Sequence, residues 1–197
     1  MNQPAKPTRI AGLILAGGRS ERMGRDKALL EWRGSSLLDR ARALLRAAGA
    51  GSIHVGGRPE QVDGLPDSEP HAGPARAILD AAQALHTSCD YLLIIPVDMP
   101  LLRAEHLAPL LSGTTGQACH WQGQPLPALI PVSARSLHGE DIHSIKRLLA
   151  TLDAEALELP TGMTGQPDPF TNINTADAFA RLGENGDATF PGVERLN

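Results

Sequence analysis

The segment IAGLILAGG, Ile10 to Gly18, is the part of the sequence that most directly predicts the fold. It begins with a short apolar run that stops at two consecutive glycines, a pattern typical of a buried strand that ends in a loop. A second apolar run, Tyr91–Val97, contains several β-branched residues and is typical of a central strand. The two runs therefore predict the centre of one sheet.

Apolar residues at helical spacing occur between these two runs and after the second one. After Ser35 and Ser36, either of which can cap a helix, apolar residues recur at helical spacing as far as Gly49. A second helical period begins near Pro74, and proline suits the first turn of a helix. Further helices are predicted at residues 104–111, 142–152 and 174–182, and shorter strands at 52–55, on both sides of Gln122-Gly123 and at 155–160.

The alternation of strands and helices indicates right-handed βαβ units. We therefore expect one three-layer, Rossmann-like α/β domain with a mostly parallel, mixed sheet, spanning residues 1–182. The Gly-rich, aperiodic residues 183–197 are expected to form a frayed C-terminal tail.

Composition excludes several classes of protein. Of the 197 residues 42% are hydrophobic and only 3% aromatic, and the formal net charge is −4. A nucleic-acid-binding protein would usually carry a basic excess and aromatic stacking platforms, so no nucleic-acid partner is expected. Without the apolar segment of a signal peptide or a run of about 18 apolar residues, we expect a cytoplasmic protein with no membrane partner. Cys89 and Cys119 are expected to be reduced, structural residues.

The residues that follow the first predicted strand combine three glycines with four cations. We call residues 17–27 the glycine–cation loop; its glycines and cations are Gly17, Gly18, Gly24, Arg19, Arg22, Arg25 and Lys27. Glycines let backbone N–H groups converge on an anion, and ligands of open α/β sheets bind beyond the carboxyl ends of strands. The loop is not a Walker A motif, since Gly24 is followed by Arg-Asp-Lys-Ala, and the segment AGGRSERMG does not contain the GxGxxG fingerprint. For the glycine–cation loop we therefore favour a phosphate-binding function over the alternative, a strand-to-helix turn whose charges are solvated.

Asp98 ends the most apolar predicted strand. A carboxylate in that place is costly unless it is paired or bound to a metal ion. Mg²⁺ needs only one or two carboxylates when substrate phosphates supply the remaining oxygens. The alternative is an aspartate that caps the helix following Pro100. The residue types alone do not distinguish a metal ligand from a helix cap.

The string LILAGGRSERMGRDKALL resembles the LAGGxxxRMGxxK signature of the MobA-like nucleotidyltransferases, and within them the molybdenum cofactor guanylyltransferases. PVDMPLL, Pro96 to Leu102, and NINT, Asn172 to Thr175, resemble two further motifs in the expected order. DSEPHAGPARAI, Asp67 to Ile78, is a looser match. The resemblance covers roughly Ile10 to Leu182 and implies a nucleotidyltransferase domain.

The resemblance implies a transfer of GMP from GTP to the terminal phosphate of Mo-molybdopterin, the molybdenum cofactor. The products would be the molybdopterin guanine dinucleotide cofactor and pyrophosphate, with Mg²⁺ as the cofactor of the enzyme. GTP and the molybdenum cofactor are the expected partners, with transient contacts to molybdoenzymes or their chaperones. No covalent enzyme intermediate is expected, because the attacking phosphate is already an anion.

The resemblance also assigns roles to individual residues. Lys27, Asp98 and Arg22 would be catalytic, with Asp98 as the metal ligand. Asn172 and Asn174, which flank Ile173, would lie on the acceptor or metal side of the site. The nucleotide would contact Leu15, Ala16, Gly17, Gly18, Lys27, Gly56, Asp67 and Asp98. Asp67 could accept hydrogen bonds from the N1–H and N2–H₂ edge of guanine.

Each assignment has a structural alternative. Lys27 and Arg22 could be solvated cations near a helix start, and Asp67 an ordinary turn residue. The two asparagines could simply lead into a helix capped by Thr175.

Three departures from the family pattern leave the base and the acceptor open. Arg76 replaces a small residue of the usual GPLAG segment, and Gly56 stands in the loop after the second strand, where guanylyltransferases often carry asparagine. The region from Asp67 to Gly73 is also short. A cytidylyltransferase of the same cofactor, a sugar-phosphate nucleotidyltransferase and an inactive nucleotide-binding regulator are the alternatives. Cytidylyltransferases tend to show LAAG and D-x-D where this chain has LAGG and NIN, which favours guanine.

Overall fold

The computed structural model describes residues 8–17, 26–69, 72–112, 116–133, 142–160, 163, 168–175 and 177–180. Its strands are β1 Ile10–Leu15, β2 Glu31–Trp32, β3 Ser35–Ser36, β4 Ser52–Gly56, β5 Gly64–Leu65, β6 Tyr91–Pro96, β7 Cys119–Trp121, β8 Ala128–Pro131 and β9 Glu155–Leu157. Its α-helices are α1 Leu37–Ala47, α2 Pro74–Leu85, α3 Ala104–Ser112 and α4 Ile145–Thr151, and Lys27–Leu29 form a short 3₁₀ helix. Arg22, Gly18 and the predicted tail 183–197 lie outside the described residues.

Seven strands form one sheet in the order β5-β4-β1-β6-β8-β7-β9, and β2 pairs with β3 in a separate hairpin. β1 is parallel to β4 and β6, with Ile10 opposite Tyr91 and Leu15 opposite Pro96. β8 is antiparallel to both of its neighbours, β6 and β7. The expected mixed, mostly parallel sheet centred on the two apolar runs is confirmed.

Helices cover both faces of this sheet. Successive side chains of a strand point to opposite faces, so Leu13 and Leu92 belong to the cluster that includes α2 and α4 residues. Ile14 and Leu93 belong to the other cluster, with α1 and α3. The predicted three-layer architecture is therefore confirmed.

Several predicted element ends are observed. The Ser36 hydroxyl accepts a hydrogen bond from Asp39 N at 3.0 Å and caps α1. Pro74 is the first residue of α2. Thr175 Oγ1 accepts from Ala178 N at 3.1 Å, in front of the helical residues 177–180. The strands around Gln122-Gly123 are β7 and β8.

Both cysteines are buried and free, as predicted. Burial raises the pKa of the Cys119 thiol to about 11 and also raises the pKa of Cys89. Neither thiol is therefore activated. Among the residues that the structure describes, no helix is long and apolar enough to cross a membrane.

Candidate nucleotide-binding site

The parallel pairing of β1, β4 and β6 brings their carboxyl ends to one edge of the sheet. The glycine–cation loop leaves β1 at this edge, and Asp98 follows β6 there. Val97 N donates a hydrogen bond to Leu15 O at 3.1 Å, which joins the two chain segments just beyond the paired strands.

Lys27, Asp98 and Asn174 meet at this edge. Lys27 Nζ donates to Asn174 Oδ1 at 2.7 Å and lies 3.6 Å from Asp98 Oδ2. The side chains of Lys27 and Asp98 are only 20% and 21% exposed. Three segments that are distant in sequence thus place a cation, a carboxylate and an amide within reach of one ligand.

A backbone hydrogen bond ties the NIN segment to the end of β6. Ile173 N donates to Asp98 O at 2.8 Å, and the Ile173 side chain is fully buried. Asn172 and Asn174, on either side of it, are exposed. Burial of Ile173 therefore anchors the segment and presents the flanking amides outward, the arrangement expected of an extended chain.

The electrostatics of Asp98 fit a charge-binding group better than a structural one. Burial raises the pKa of Asp98, and the ammonium of Lys27 opposes that shift only in part. Because α3 begins only at Ala104, Asp98 does not cap it, and the helix-cap alternative is excluded. A partly buried carboxylate that is stabilised by additional positive charge is a suitable place for a cation.

The loop after β4 packs directly against the start of the glycine–cation loop. Gly57 has a φ of +76°, and a Cβ added to it would lie 2.8 Å from Gly17 Cα and 3.3 Å from Asp67 Oδ2. Only glycine permits this backbone approach. The half-buried Asp67, which follows β5, therefore lies beside the first glycine of the loop.

The position expected for Gly56 needs correction. Gly56 is the last residue of β4 and is buried, not a loop residue. A Cβ added there would lie 3.6 Å from Ala77 Cβ and 3.7 Å from Leu13 Cδ1, which are ordinary packing contacts. Gly57 is the glycine that faces the loop, because side-chain directions alternate and Gly56 points into the layer of α2.

Arg76, another departure from the family pattern, is held by its own helix. It forms an ion pair of 2.7 Å with Asp80 Oδ1, and its Nε lies 2.9 Å from Ser68 Oγ. Asp80 also accepts from Ser68 N at 2.8 Å. Arg76 and Asp80 thus fasten the segment immediately after Asp67 to α2.

Arg58 also lies at this edge of the sheet, although it was not predicted from the sequence. Its Nε donates to Ala16 O at 3.1 Å, and its guanidinium also bonds the Asp26 carboxylate. Ala16 precedes the glycine–cation loop, and Asp26 directly precedes Lys27. One signal was available, because Gly56-Gly57-Arg58 repeats the Gly17-Gly18-Arg19 pattern of a glycine pair and a cation after a parallel strand.

Comparison with known proteins decides the family. A model described as the MobA-like NTP transferase domain matches residues 12–156. The chain belongs to the MobA-like NTP transferase family. The molybdenum cofactor guanylyltransferase of Xanthomonas euvesicatoria is 35% identical over 189 residues, covering 89% of this chain and 96% of that protein.

Solved structures agree with this family at the level of the fold. A nucleotidyl transferase from Methanothermobacter superposes with a TM-score of 0.70 at 17% identity, covering 91% of this chain and 98% of that chain. The molybdopterin-guanine dinucleotide biosynthesis protein A of Archaeoglobus fulgidus gives a TM-score of 0.63 at 22% identity, covering 89% and 97%.

The residues of this MobA-like domain fit a metal ion that is held largely by substrate. Within the described ranges, no group of three His, Cys, Asp or Glu side chains could hold a metal ion. Mg²⁺ characteristically uses one or two carboxylates together with phosphate oxygens and water. Asp98, which lies at this edge, could hold such an ion together with substrate phosphates.

Gly57→Ala should open the contact between the two loops of the MobA-like site. The added Cβ would press on Gly17 Cα, so we expect kcat/KM to fall about 10- to 100-fold through misplacement of the glycine–cation loop. Steady-state pyrophosphate release with the preferred NTP measures this loss.

Gly123→Ala is the matched control for this prediction. Gly123 has a φ of +78°, but a Cβ added there meets nothing within 4 Å. Both variants carry the same backbone strain of about 1 kcal/mol, and only Gly57→Ala should lose activity. Equal losses in the two variants would show that the close approach of Gly57 to Gly17 is irrelevant to turnover.

Proposed function

We propose that the protein transfers GMP from GTP to the terminal phosphate of Mo-molybdopterin and forms the molybdopterin guanine dinucleotide cofactor. A phosphate oxygen of the acceptor attacks the α-phosphorus of GTP. The bond from that phosphorus to the α–β bridging oxygen breaks, and pyrophosphate leaves with the bonding electrons. The observation that carries the proposal is the meeting of Lys27, Asp98 and Asn174 beside the glycine–cation loop of a MobA-like domain.

Lys27 neutralises negative charge that shifts along the triphosphate during this displacement. Its ammonium is a compact charge on a flexible stem, so it can follow the α–β bridge as the bond breaks. Asn174 accepts a hydrogen bond from Lys27 Nζ and so restricts where that charge lies. Phosphoryl-type transfers depend mainly on such positioning and charge stabilisation.

Asp98 is the proposed ligand for Mg²⁺. When bound, the ion neutralises phosphate charge and orients the reacting groups. Asn172 and Asn174 are proposed to lie on the acceptor or metal side of the same edge, and Arg22 to supply a further cation to the triphosphate. The nucleotide is proposed to contact the backbone of Leu15, Ala16, Gly17, Gly18 and Gly56.

Guanine is the proposed base. The first loop reads LAGG and the C-terminal motif reads NIN. Both sequences resemble the guanylyltransferases more than the cytidylyltransferases of the cofactor, so they favour guanine over cytosine. Asp67, beside Gly17 and Gly57, offers carboxylate oxygens to the paired donors of guanine. Asp80 and Arg76 fasten the next residue, Ser68, which supports a defined position for Asp67.

Asp67→Asn should reduce the preference for GTP over CTP and ATP. The amide retains only one acceptor oxygen, so we expect kcat/KM for GTP to fall at least about 10-fold, with smaller changes for CTP and ATP. Glu69→Gln, an exposed carboxylate change in the same segment, should leave the ratios unaltered. An unchanged GTP-to-CTP ratio in Asp67→Asn would make Asp67 a turn residue only.

Turnover by the purified protein tests the function itself. Pyrophosphate release is measured with Mg²⁺, Mo-molybdopterin and each of GTP, CTP, ATP and UTP, and the dinucleotide product is identified by mass spectrometry. The proposal predicts GTP-dependent release that requires the acceptor. Preference for CTP would indicate a cytidylyltransferase. Turnover only with a sugar phosphate would indicate a different acceptor. Nucleotide binding without turnover would indicate a regulator.

A further inference from the structure

The two ends of the glycine–cation loop are joined by one side chain. Arg58 donates from Nε to Ala16 O at 3.1 Å, before the loop, and from its guanidinium to Asp26, at the end of the loop. The Arg58 side chain is only 13% exposed, so it is enclosed between the segments that it joins. A guanidinium presents several donors in a rigid plane, which lets one residue bond two partners at once.

Asp26 transmits this contact to Lys27. Asp26 Oδ1, which Arg58 bonds, also accepts from Ala28 N at 3.0 Å and so caps the 3₁₀ helix that begins at Lys27. The same carboxylate oxygen is thus fastened to Arg58 on one side and to the turn that carries Lys27 on the other. A shift of Asp26 would move the start of that turn.

The backbone of Arg58 is itself anchored to the sheet. Gly57 N donates to Leu65 O at 3.2 Å, and Arg58 O accepts from Gln61 N at 3.1 Å. Arg42, from α1, forms an ion pair of 2.6 Å with Asp63 in the same connection between β4 and β5. Hydrogen bonds on both sides of Arg58 and the Arg42–Asp63 pair therefore fix the connection that carries Arg58.

We propose that Arg58 is a positioning residue that joins the ends of the glycine–cation loop and thereby sets the place of Lys27 opposite Asp98 and the triphosphate. This inference rests on the proposed function in assigning Lys27 to the phosphates. Arg58 acts through Ala16 and Asp26, and its partners are protein groups.

Arg58→Ala is expected to lower kcat about 10- to 100-fold, because a displacement of about 1 Å in a catalytic group can cost that much. The KM for GTP should change much less, since the contacts to the base persist. Arg58→Lys retains the charge but not the two-partner geometry and should recover little. Asp26→Asn preserves a capping oxygen while removing the ion pair and should show a smaller loss of kcat in the same direction.

Arg9→Ala is the control for loss of an arginine–aspartate pair. Arg9 bonds Asp90 at 2.9 Å at the start of β1, the end opposite the site. Its removal should leave kcat and KM unchanged. Full activity of Arg58→Lys would show that charge alone suffices, and an equal loss in Arg9→Ala would show a general effect on folding; either result overturns the proposal.

Limited trypsin digestion tests the joining of the loop ends without any substrate. The sequence between the two contacts contains Arg19, Arg22 and Arg25, each a tryptic site. Cleavage there, followed by mass spectrometry, should accelerate several-fold in Arg58→Ala and not in Arg9→Ala. An unchanged cleavage rate in Arg58→Ala would refute the role of Arg58 in joining the loop ends. If cleavage does accelerate in Arg58→Ala but the wild type releases no pyrophosphate, only the proposed function is refuted.

Discussion

Lys27→Ala is expected to lower kcat for pyrophosphate release about 100- to 1,000-fold, the range seen when one preorganised transition-state donor is removed. The lysine ammonium lies 3.6 Å from Asp98 and 2.7 Å from Asn174, at the edge where the triphosphate is proposed to bind. Without it, charge that shifts to the leaving pyrophosphate loses a positioned cation. Single-turnover rates with saturating GTP and Mo-molybdopterin measure the effect on chemistry directly.

Folding should survive this change. The Lys27 side chain belongs to the edge of the sheet and to neither apolar cluster, so the thermal midpoint should remain close to that of the wild type. Lys146→Ala, which removes an exposed lysine from α4, controls for loss of one positive charge. Near-normal turnover of Lys27→Ala would remove this residue from the mechanism and leave the solvated-lysine interpretation.

Asp98→Asn should abolish measurable turnover while preserving the fold. The amide matches the carboxylate in size but has no negative charge, and a hard cation such as Mg²⁺ strongly prefers the carboxylate. We expect a loss of at least about 1,000-fold in kcat/KM, since binding and charge neutralisation fail together. Steady-state rates over a series of Mg²⁺ concentrations measure it, and excess metal ion should restore little.

The stability of Asp98→Asn provides a second readout. Burial raises the pKa of Asp98, which means that its ionised form is disfavoured in the folded state. Its neutral replacement should therefore lower the free energy of unfolding by no more than about 1 kcal/mol. Asp153→Asn, at an exposed position with a φ of +48° that asparagine tolerates, controls for loss of a carboxylate. Full activity of Asp98→Asn would exclude Asp98 as the metal ligand.

The departures from the family pattern affect the surroundings of the site more than its charged centre. Arg76 pairs with Asp80 on its own helix, and Gly56 packs inside the layer of α2. Neither contact involves Lys27 or Asp98. The question that these departures raise therefore concerns base choice, which the Asp67 experiment addresses, and not the displacement at phosphorus.

Local sequence patterns were sufficient to predict the framework. The apolar runs at β1 and β6, the helical periods and the Ser36, Pro74 and Thr175 signals each depend on residues near one another in the chain. Burial of alternating or helically spaced side chains is a strong local constraint, so the three-layer sheet followed from it. The short β2–β3 hairpin and the edge strand β5 were not predicted, since two-residue strands carry no detectable period.

The sequence by itself determined the sheet, its helices and the two charged residues, Lys27 and Asp98, that follow its central strands. Only the tertiary structure decided which groups meet there, because hydrogen bonds between distant segments produce no periodic pattern in the sequence. Lys27 bonds an amide 147 positions away, and Arg58 joins both ends of a loop that precedes it. Gly57, not Gly56, faces Gly17 because the strand places alternate residues on opposite sides.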